Sequence, residues 1–516
     1  MRALSMILLL AANAFGQAAP GLPAGAPDGL ALITRAELKR HAEFLASDAL
    51  GGRYTGTPGQ VKAAEYIAKH FAKLRLQPLG GGKRSFLQQY PLERTYLDPK
   101  GTSIAFGGKN HTTGFAVIPG KDSKPVRVSG SFVYCGTGNP EQVPKALLGR
   151  IPVVVLGAPG GAAGDRGSMM RGNRLVQRAA AVSRDMASRN MRVVVFAVTD
   201  PASSLLDNMN YRALLPEKHL LEYAGERGPR RAEAHAIVSL LLAPKGSRAL
   251  LTALGCKVDD AGVVTPPSSG KSPKVAGRVS VHVREDKKFH AVNVCAVLRG
   301  TSRATEAVVF SAHMDHMGTR MDGDPFNGAD DNASGTAGLL TIASAFAGAQ
   351  SPPKRSIVFL AVSGEELGLW GSHWYSEHPT WPLGQIVADV NTDMIGRDTQ
   401  LSPKGTVSVT PSKDHQQFST LVRTAAEIAG KLGMTLSNGD TYYSRSDHFN
   451  FARKGVPVVF FCDGEHADYH KVTDHADKLD FAKMEQIARL AYWTGWQTAQ
   501  AAGRPKTLGA TGSWTK

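Results

Sequence analysis

Two hydrophobic patterns organise this chain. From Ile33 to Leu76 apolar residues recur at helical spacing, with Leu38, Phe44 and Leu45, then Tyr66, Ile67 and Phe71, on either side of the turn-rich stretch GGRYTGTPG. Further on, short unbroken apolar runs replace that periodicity. Gly114–Ile118 and Ser131–Tyr134 read as strands, and Ile151–Leu156 and Arg192–Val198 as buried strands flanking a helical stretch, Arg174–Ser188. After Ala243 the chain is polar and turn-rich, and PPSSGKSPK (266–274) reads as a linker.

A second series begins near Val275. Ala307–Ala312, Ser356–Val362 and Val456–Phe461 are apolar on both parities, as strands of a parallel sheet covered on both faces must be, and Ile386–Asn391 is a weaker fourth. Helical stretches intervene at Ala337–Phe346, Gln417–Leu432 and Phe481–Thr498. This alternation predicts an α/β fold with a mixed, mostly parallel sheet flanked by helices. The last fifteen or so residues are polar and Gly-rich and are expected to fray.

At 516 residues, 42% apolar and 20% charged, the chain has the make-up of a folded multidomain protein rather than a disordered one. Residues 1–20 place Arg2 ahead of the short apolar core Ala3–Ala12 and then small residues, the pattern of a cleaved signal peptide and hence of a secreted or periplasmic protein. The apolar core is too short to span a bilayer. Cys135, Cys256, Cys295 and Cys462 are scattered without C-x-x-C spacing, so no disulfide framework or zinc knuckle is signalled, and Cys295 and Cys462 sit in apolar runs as buried thiols. The formal charge of +16 raises nucleic acid as a partner. Seven arginines between Arg166 and Arg192 form the densest basic cluster, and Arg171, Arg174 and Arg178 can share a helix face. With no aromatic platform or nucleic-acid motif beside them, they read as a solvated face.

The chemistry lies at the strand ends. SAHMDHMG brings His313 and Asp315 after the first buried strand, and FNGADDNASG holds Asp330 and Asp331 before a helix. AVSGEELG carries Glu365 and Glu366 after the second strand, VNTDMIG carries Asp393 after the third, and FCDGEHADYH carries His470 after the fourth. Ligands of open α/β sheets bind outside the carboxyl ends of the strands, so these residues converge on one crevice. Singly, each has an ordinary explanation as a capping or surface group. Together, two imidazoles and at least three carboxylates are costly to cluster without a cation, and mixed nitrogen and oxygen donors suit Zn²⁺ better than Mg²⁺ or Ca²⁺. H-E-x-x-H and G-x-S-x-G are both absent from the sequence.

HMDH, GADDNASG, GEELGLWGS, NTDMIG and the late YH, in this order, resemble the motif series of the M28 co-catalytic zinc aminopeptidases. FLASDALGGRYTGTPG and SRSDHFNF…GVPVVFF extend the resemblance over most of residues 33–120 and 275–500. The stretch between, with GRIPVVVLG and MASRNMRVVVFAVTD, is similar to a protease-associated domain inserted in the peptidase. The organisation implied is a signal peptide at 1–18, a discontinuous peptidase domain at 29–120 and 275–500, an insertion at 121–274 and a flexible tail at 501–516.

The resemblance also implies roles. Asp331 would bridge two zinc ions per chain, His313 and Asp393 would hold one and Glu366 and His470 the other, with Asp330 a neighbour. Glu365 would be the general base, Asp315 would orient the ring of His313, and Tyr469 would help stabilise the oxyanion. Tyr442, Tyr443 and His448 are candidates for the pocket wall. The activity implied is removal of N-terminal residues from peptides. A carboxypeptidase gripping a terminal carboxylate through Arg445, a glutaminyl cyclase, and a catalytically inactive receptor-like binding protein are the alternatives.

Overall fold

The computed structural model describes residues 22–515 apart from position 83 and the stretches 121–123, 157–164, 201–205, 208–212, 217, 224–234 and 269–271. The signal-peptide expectation therefore lies outside the described residues. So do the side chains of Arg166 and Arg171 in the basic cluster; farther along it, Arg178 donates to the Thr137 carbonyl and Arg189 pairs with Asp185.

A ten-stranded mixed sheet carries the predicted strand series. Arg303–His313 lies at its centre, parallel to Arg355–Val362 on one side and Ile386–Thr392 on the other, and Val458–Cys462 continues the parallel set. Thr406–Thr410 and Thr435–Asn438 close one edge. Toward the other edge runs a long antiparallel pair, Val283–Leu298 with Leu87–Leu97. The doubly apolar strands do what their composition requires. Val308, Phe310 and Ala312 pack with the helices Arg35–Leu45, Pro58–Lys73, Gly335–Gly348, Thr420–Lys431 and Phe481–Gln500. Ala307 and Val309 face the opposite core, with Tyr375 and Phe451 of two short helices. Each such buried aliphatic or aromatic side chain contributes about 1.5–3 kcal/mol, so two covered faces make this layer the stable base of the molecule.

A second sheet of eight strands runs in the order Lys109–His111, Ser103–Phe106, Val275–Val281, Val126–Tyr134, Arg150–Leu156, Val193–Val198, Val238–Leu242, Phe115–Ile118. The chain leaves the large sheet after Leu97 and returns at Val283, and Asp98 N donates to the His282 carbonyl at 2.8 Å where the two connections meet. This sheet reaches beyond the expected insertion of 121–274: it takes in Phe115–Ile118, already read as a strand, and recruits Ser103–Phe106, Lys109–His111 and Val275–Val281, which carry no strong local signal. One strand within that range, Leu220–Tyr223, instead joins the edge of the large sheet beside Leu87–Leu97. Next to it, buried Lys218 donates to the Met317 carbonyl at 3.0 Å, so the inserted segment touches the loop that follows His313.

Two further expectations are refined. The polar tail is not frayed: Leu508 N donates to the Phe418 carbonyl, Arg504 pairs with Glu306, and Trp514 packs edge-on against Phe418. All four cysteines are buried and free. Among the described residues no helix is long and apolar enough to cross a membrane.

Candidate metal centre

Each predicted residue issues from the carboxyl end of a central parallel strand or the loop just beyond it. His313 ends its strand, and its Nε2 lies 3.3 Å from Asp331 Oδ1 and 3.2 Å from Asp393 Oδ1. On the far side of Asp331, His470 Nε2 lies 3.1 Å from Asp331 Oδ2 and 3.1 Å from Glu366 Oε2. Asp331 thus presents one oxygen to each imidazole and stands between two half-sites. His313 Nε2 and Asp393 Oδ1 are buried with no hydrogen-bond partner among the described residues. Donors around a tetrahedral Zn²⁺ at about 2.0–2.1 Å lie about 3.3 Å apart, which is the spacing of all four contacts. The donor set fits two such ions, one between His313 and Asp393 and one between Glu366 and His470, sharing Asp331.

The backbone is bent to hold these groups. Met394, directly after Asp393, and His470 itself adopt positive φ of 57° and 54°, a conformation costly for residues with a side chain and concentrated at functional sites. Asp474 Oδ2 accepts the amides of both Asp330 and Asp331 at 3.0 and 3.2 Å. Asp330 turns away, as expected of a neighbour: its Oδ1 accepts Gly396 N at 2.7 Å and its Oδ2 faces His466 at 3.3 Å. Ser446 Oγ donates to Asp393 Oδ2 at 2.9 Å.

Asp315 is placed differently from its expected role. The Nδ1 of His313 lies 3.2 Å from the main-chain carbonyl of Asp315 and 3.8 Å from its carboxylate. That carboxylate instead accepts Thr55 Oγ1 and Gly364 N, both at 2.8 Å, and Glu365 N at 3.4 Å. It anchors the turn that carries the two glutamates, so it steadies Glu365 more directly than the imidazole.

Burial and charge set the protonation of the cluster. Burial pushes the Glu365 carboxyl well above the usual range; His313 opposes this, and Glu366, Asp393 and Asp447 reinforce it. Asp331 suffers the same desolvation, but His316, His313 and His470 outweigh it and hold the carboxyl well below its ordinary value. Burial raises Asp315 to about 6. Two adjacent glutamates therefore diverge, with Glu366 drawn down to about 2 by His470 and His316 against its own burial.

A pocket opens beside Glu365. Met394, Phe460 and Cys462 form its apolar side, Tyr442 and Tyr469 wall it, and Arg445 and Glu465 pair at 2.7 Å at its rim. Tyr469 stacks on His470 with ring centroids 3.9 Å apart. Of the three residues expected along the wall, Tyr442 lines the pocket. Tyr443 packs at a tilt against His415 instead, and His448 is fully buried against Phe460.

Sequence reasoning missed His316, Arg53, Thr55, Asp474 and Ser446. His316 and Arg53 stood inside motifs already singled out, HMDH and GGRYTGTPG. Thr55 and Ser446 likewise lay in segments already quoted, GGRYTGTPG and SRSDHFNF, whereas Asp474 lay outside them and its partners come from elsewhere in the chain.

Residues 293–494 match the model of Peptidase family M28. Aminopeptidase YwaD of Bacillus subtilis is 27% identical over 211 residues, covering 39% of this chain and 43% of that protein. A probable zinc metalloprotease of Pyricularia oryzae is 34% identical over 274 residues, 44% of this chain and 52% of that protein. The chain spans about half the length of the curated relatives it matches. The solved structure of BSAP, a zinc aminopeptidase from Bacillus subtilis, shares the fold with a TM-score of 0.53 at 17% identity, covering 91% of this chain and 96% of that one.

Proposed function

Because residues 293–494 make this chain a member of peptidase family M28, we propose that it is an exported exopeptidase that removes N-terminal residues from peptides at a two-zinc centre. The observation that carries the reading is the paired half-site: two imidazoles, each 3.1–3.3 Å from an oxygen of Asp331 and from one further carboxylate, Asp393 or Glu366, with Glu365 beside them. His313, Asp393 and Asp331 would hold one ion, and Glu366, His470 and Asp331 the other. Zinc bound there would polarise the scissile carbonyl and bring the pKa of water toward neutrality.

The chain's own residues supply the rest. Glu365 takes the proton from the attacking water and returns it to the departing amine. Its raised proton affinity suits the second half of that task. Asp315 and Thr55 hold its turn, so the carboxylate does not need to reorganise between the two steps. Tyr469, on the pocket wall, would donate to the developing oxyanion. The apolar patch of Met394, Phe460 and Cys462 would receive the side chain of the residue being released.

The reading of the N-terminus as a signal peptide supports export, and the resemblance of the inserted segment to a protease-associated domain supports a role for it beside the active-site mouth. Arg445, which a carboxypeptidase would need for a terminal carboxylate, is already paired with Glu465. That pairing favours the aminopeptidase.

The test is mass spectrometry of a peptide pool incubated with zinc-loaded protein, each peptide present with a free and an acetylated N-terminus. Stepwise loss from free N-termini alone, stopped by chelator, is the expected result. Loss from C-termini regardless of acetylation would assign a carboxypeptidase. No cleavage would move the protein to the cyclase or binding-protein readings.

A further inference from the structure

One buried imidazole has no part in the two half-sites. His316, three residues after His313, is completely buried. Its Nδ1 lies 2.6 Å from Glu366 Oε1 and 3.9 Å from Asp331 Oδ2, and neither ring nitrogen makes a hydrogen bond of ordinary geometry among the described residues. The ring sits edge-on to His470 with centroids 5.7 Å apart. Its other edge presses on Gly328, where a Cβ would come within 2.4 Å of the imidazole and where φ is +53°. The ring's place is fixed by the packing, and what it faces is Glu366.

Distance decides whether His316 is another ligand or a support. Donors sharing one zinc ion lie about 3.3 Å apart. The separation of 2.6 Å is too short for that edge and 3.9 Å is too long. At 2.6 Å the ring nitrogen instead lies in direct contact with the Glu366 carboxylate oxygen, closer than two donors on one ion would stand. The other half-site has the same construction. Asp393 turns Oδ1 to His313 while Ser446 holds Oδ2; Glu366 turns Oε2 to His470 while His316 meets Oε1. Each outer carboxylate is held by one oxygen so that the other faces the cluster.

We propose that His316 is a positioning residue for the second half-site, fixing the rotation of Glu366 and thereby raising the affinity of the metal held by Glu366 and His470. The inference rests on the two-zinc reading. Groups that orient metal-bound side chains typically alter affinity by about 10–100-fold when removed.

The full-length apoprotein, titrated with zinc against a chelating indicator and separately with Co²⁺ by visible absorption, tests it. Wild type is expected to bind two ions. His316→Ala should keep one near wild-type affinity and weaken the other about 10–100-fold. His316→Asn, whose amide can stand where Nδ1 does, should restore most of the loss and leave the Co²⁺ spectrum of the loaded protein unchanged. Wild-type affinity for both ions in His316→Ala overturns the proposal. So does a changed spectrum in His316→Asn, which would make the ring a ligand. X-ray absorption on the zinc-loaded wild type covers the case in which a variant does not fold: an average of one imidazole per zinc supports the proposal, and one and a half overturns it. Wild type binding fewer than two ions would instead mark a failure of the two-zinc reading.

Discussion

The guanidinium of Arg53 donates to the main-chain carbonyl of Asn327 at 2.6 Å, tying the segment GGRYTGTPG to the loop that presents Asp331. Its other bonds go to the carbonyls of Met314 at 3.0 Å, Gly328 at 2.9 Å and Leu45. One buried cation thus gathers the chain on both sides of the metal centre. Burial lowers its pKa to about 10, with Asp331, Asp315, Asp474 and Glu366 opposing the shift, so it stays charged at neutral pH.

Removing that donor leaves several buried carbonyls without a partner, each costing about 1–3 kcal/mol. Arg53→Met is therefore expected to lose at least about 3 kcal/mol of stability, read from urea unfolding of the metal-free protein. Arg53→Lys, which keeps the charge but not the fork, should fall between the two. A midpoint for Arg53→Met indistinguishable from wild type would show that the loops hold their places without the clamp.

The division of labour between the adjacent glutamates separates binding from turnover. Glu365→Ala is expected to lower kcat by about 10²–10⁴-fold while metal content stays near wild type. Asp331→Ala, which removes an oxygen from both half-sites, should lose metal as well. Substantial activity in Glu365→Ala would show that another group carries the proton.

The rim pair offers a test of selectivity. Arg445 and Glu465 meet at 2.7 Å, and both side chains are nearly half exposed, at 46% and 42%. An exposed pair of this kind is worth about 0.2–1 kcal/mol. Arg445→Ala frees the carboxylate of Glu465, so kcat/KM for peptides beginning with Lys should rise about two- to five-fold relative to those beginning with Leu. A collapse of all activity with KM raised for C-terminal carboxylates would point to the carboxypeptidase instead.

The centre was legible because its residues follow a rule that acts locally. His313, Glu365 and Asp393 each sit at or just past the end of an apolar run, and parallel strands bring their ends together whatever lies between them. The supports obey no such rule. Arg53 is 274 positions from Asn327, and Thr55 is 260 from Asp315, so only the finished packing of the N-terminal helices on the sheet reveals their roles. The edges of the second sheet were obscured for a related reason. Lys109–His111 and Ser103–Phe106 are short and partly exposed, and the pairing of Ser103–Phe106 with Val275–Val281 depends on a return of the chain far downstream. The tail misled through composition: its glycines and polar residues say nothing of the main-chain bond from Leu508 to Phe418 or of the packing of Trp514 on that ring.

A last consequence concerns acid stability. His41 is buried, with Nδ1 2.8 Å from Tyr66 Oη and Nε2 3.0 Å from Arg40 Nη2 and 3.7 Å from Glu37 Oε2, and the ring of His70 packs edge-on at 4.6 Å. Burial, then repulsion from His70 and Arg40, lowers its pKa from 6.5 to about 2. The unfolded chain takes up this proton near 6.5 and the folded protein does not until about 2, so between those values the unfolded state binds more protons. The stability this neutral ring permits is complete above about pH 6.5 and declines as the pH falls below it. At about pH 5.5 the loss assignable to His41 is about 1 kcal/mol relative to about pH 7.5. Urea unfolding at both pH values should show wild type losing about that much more stability than His41→Gln, in which nothing titrates at this position. Equal losses in the two proteins would mean that the ring charges within the fold.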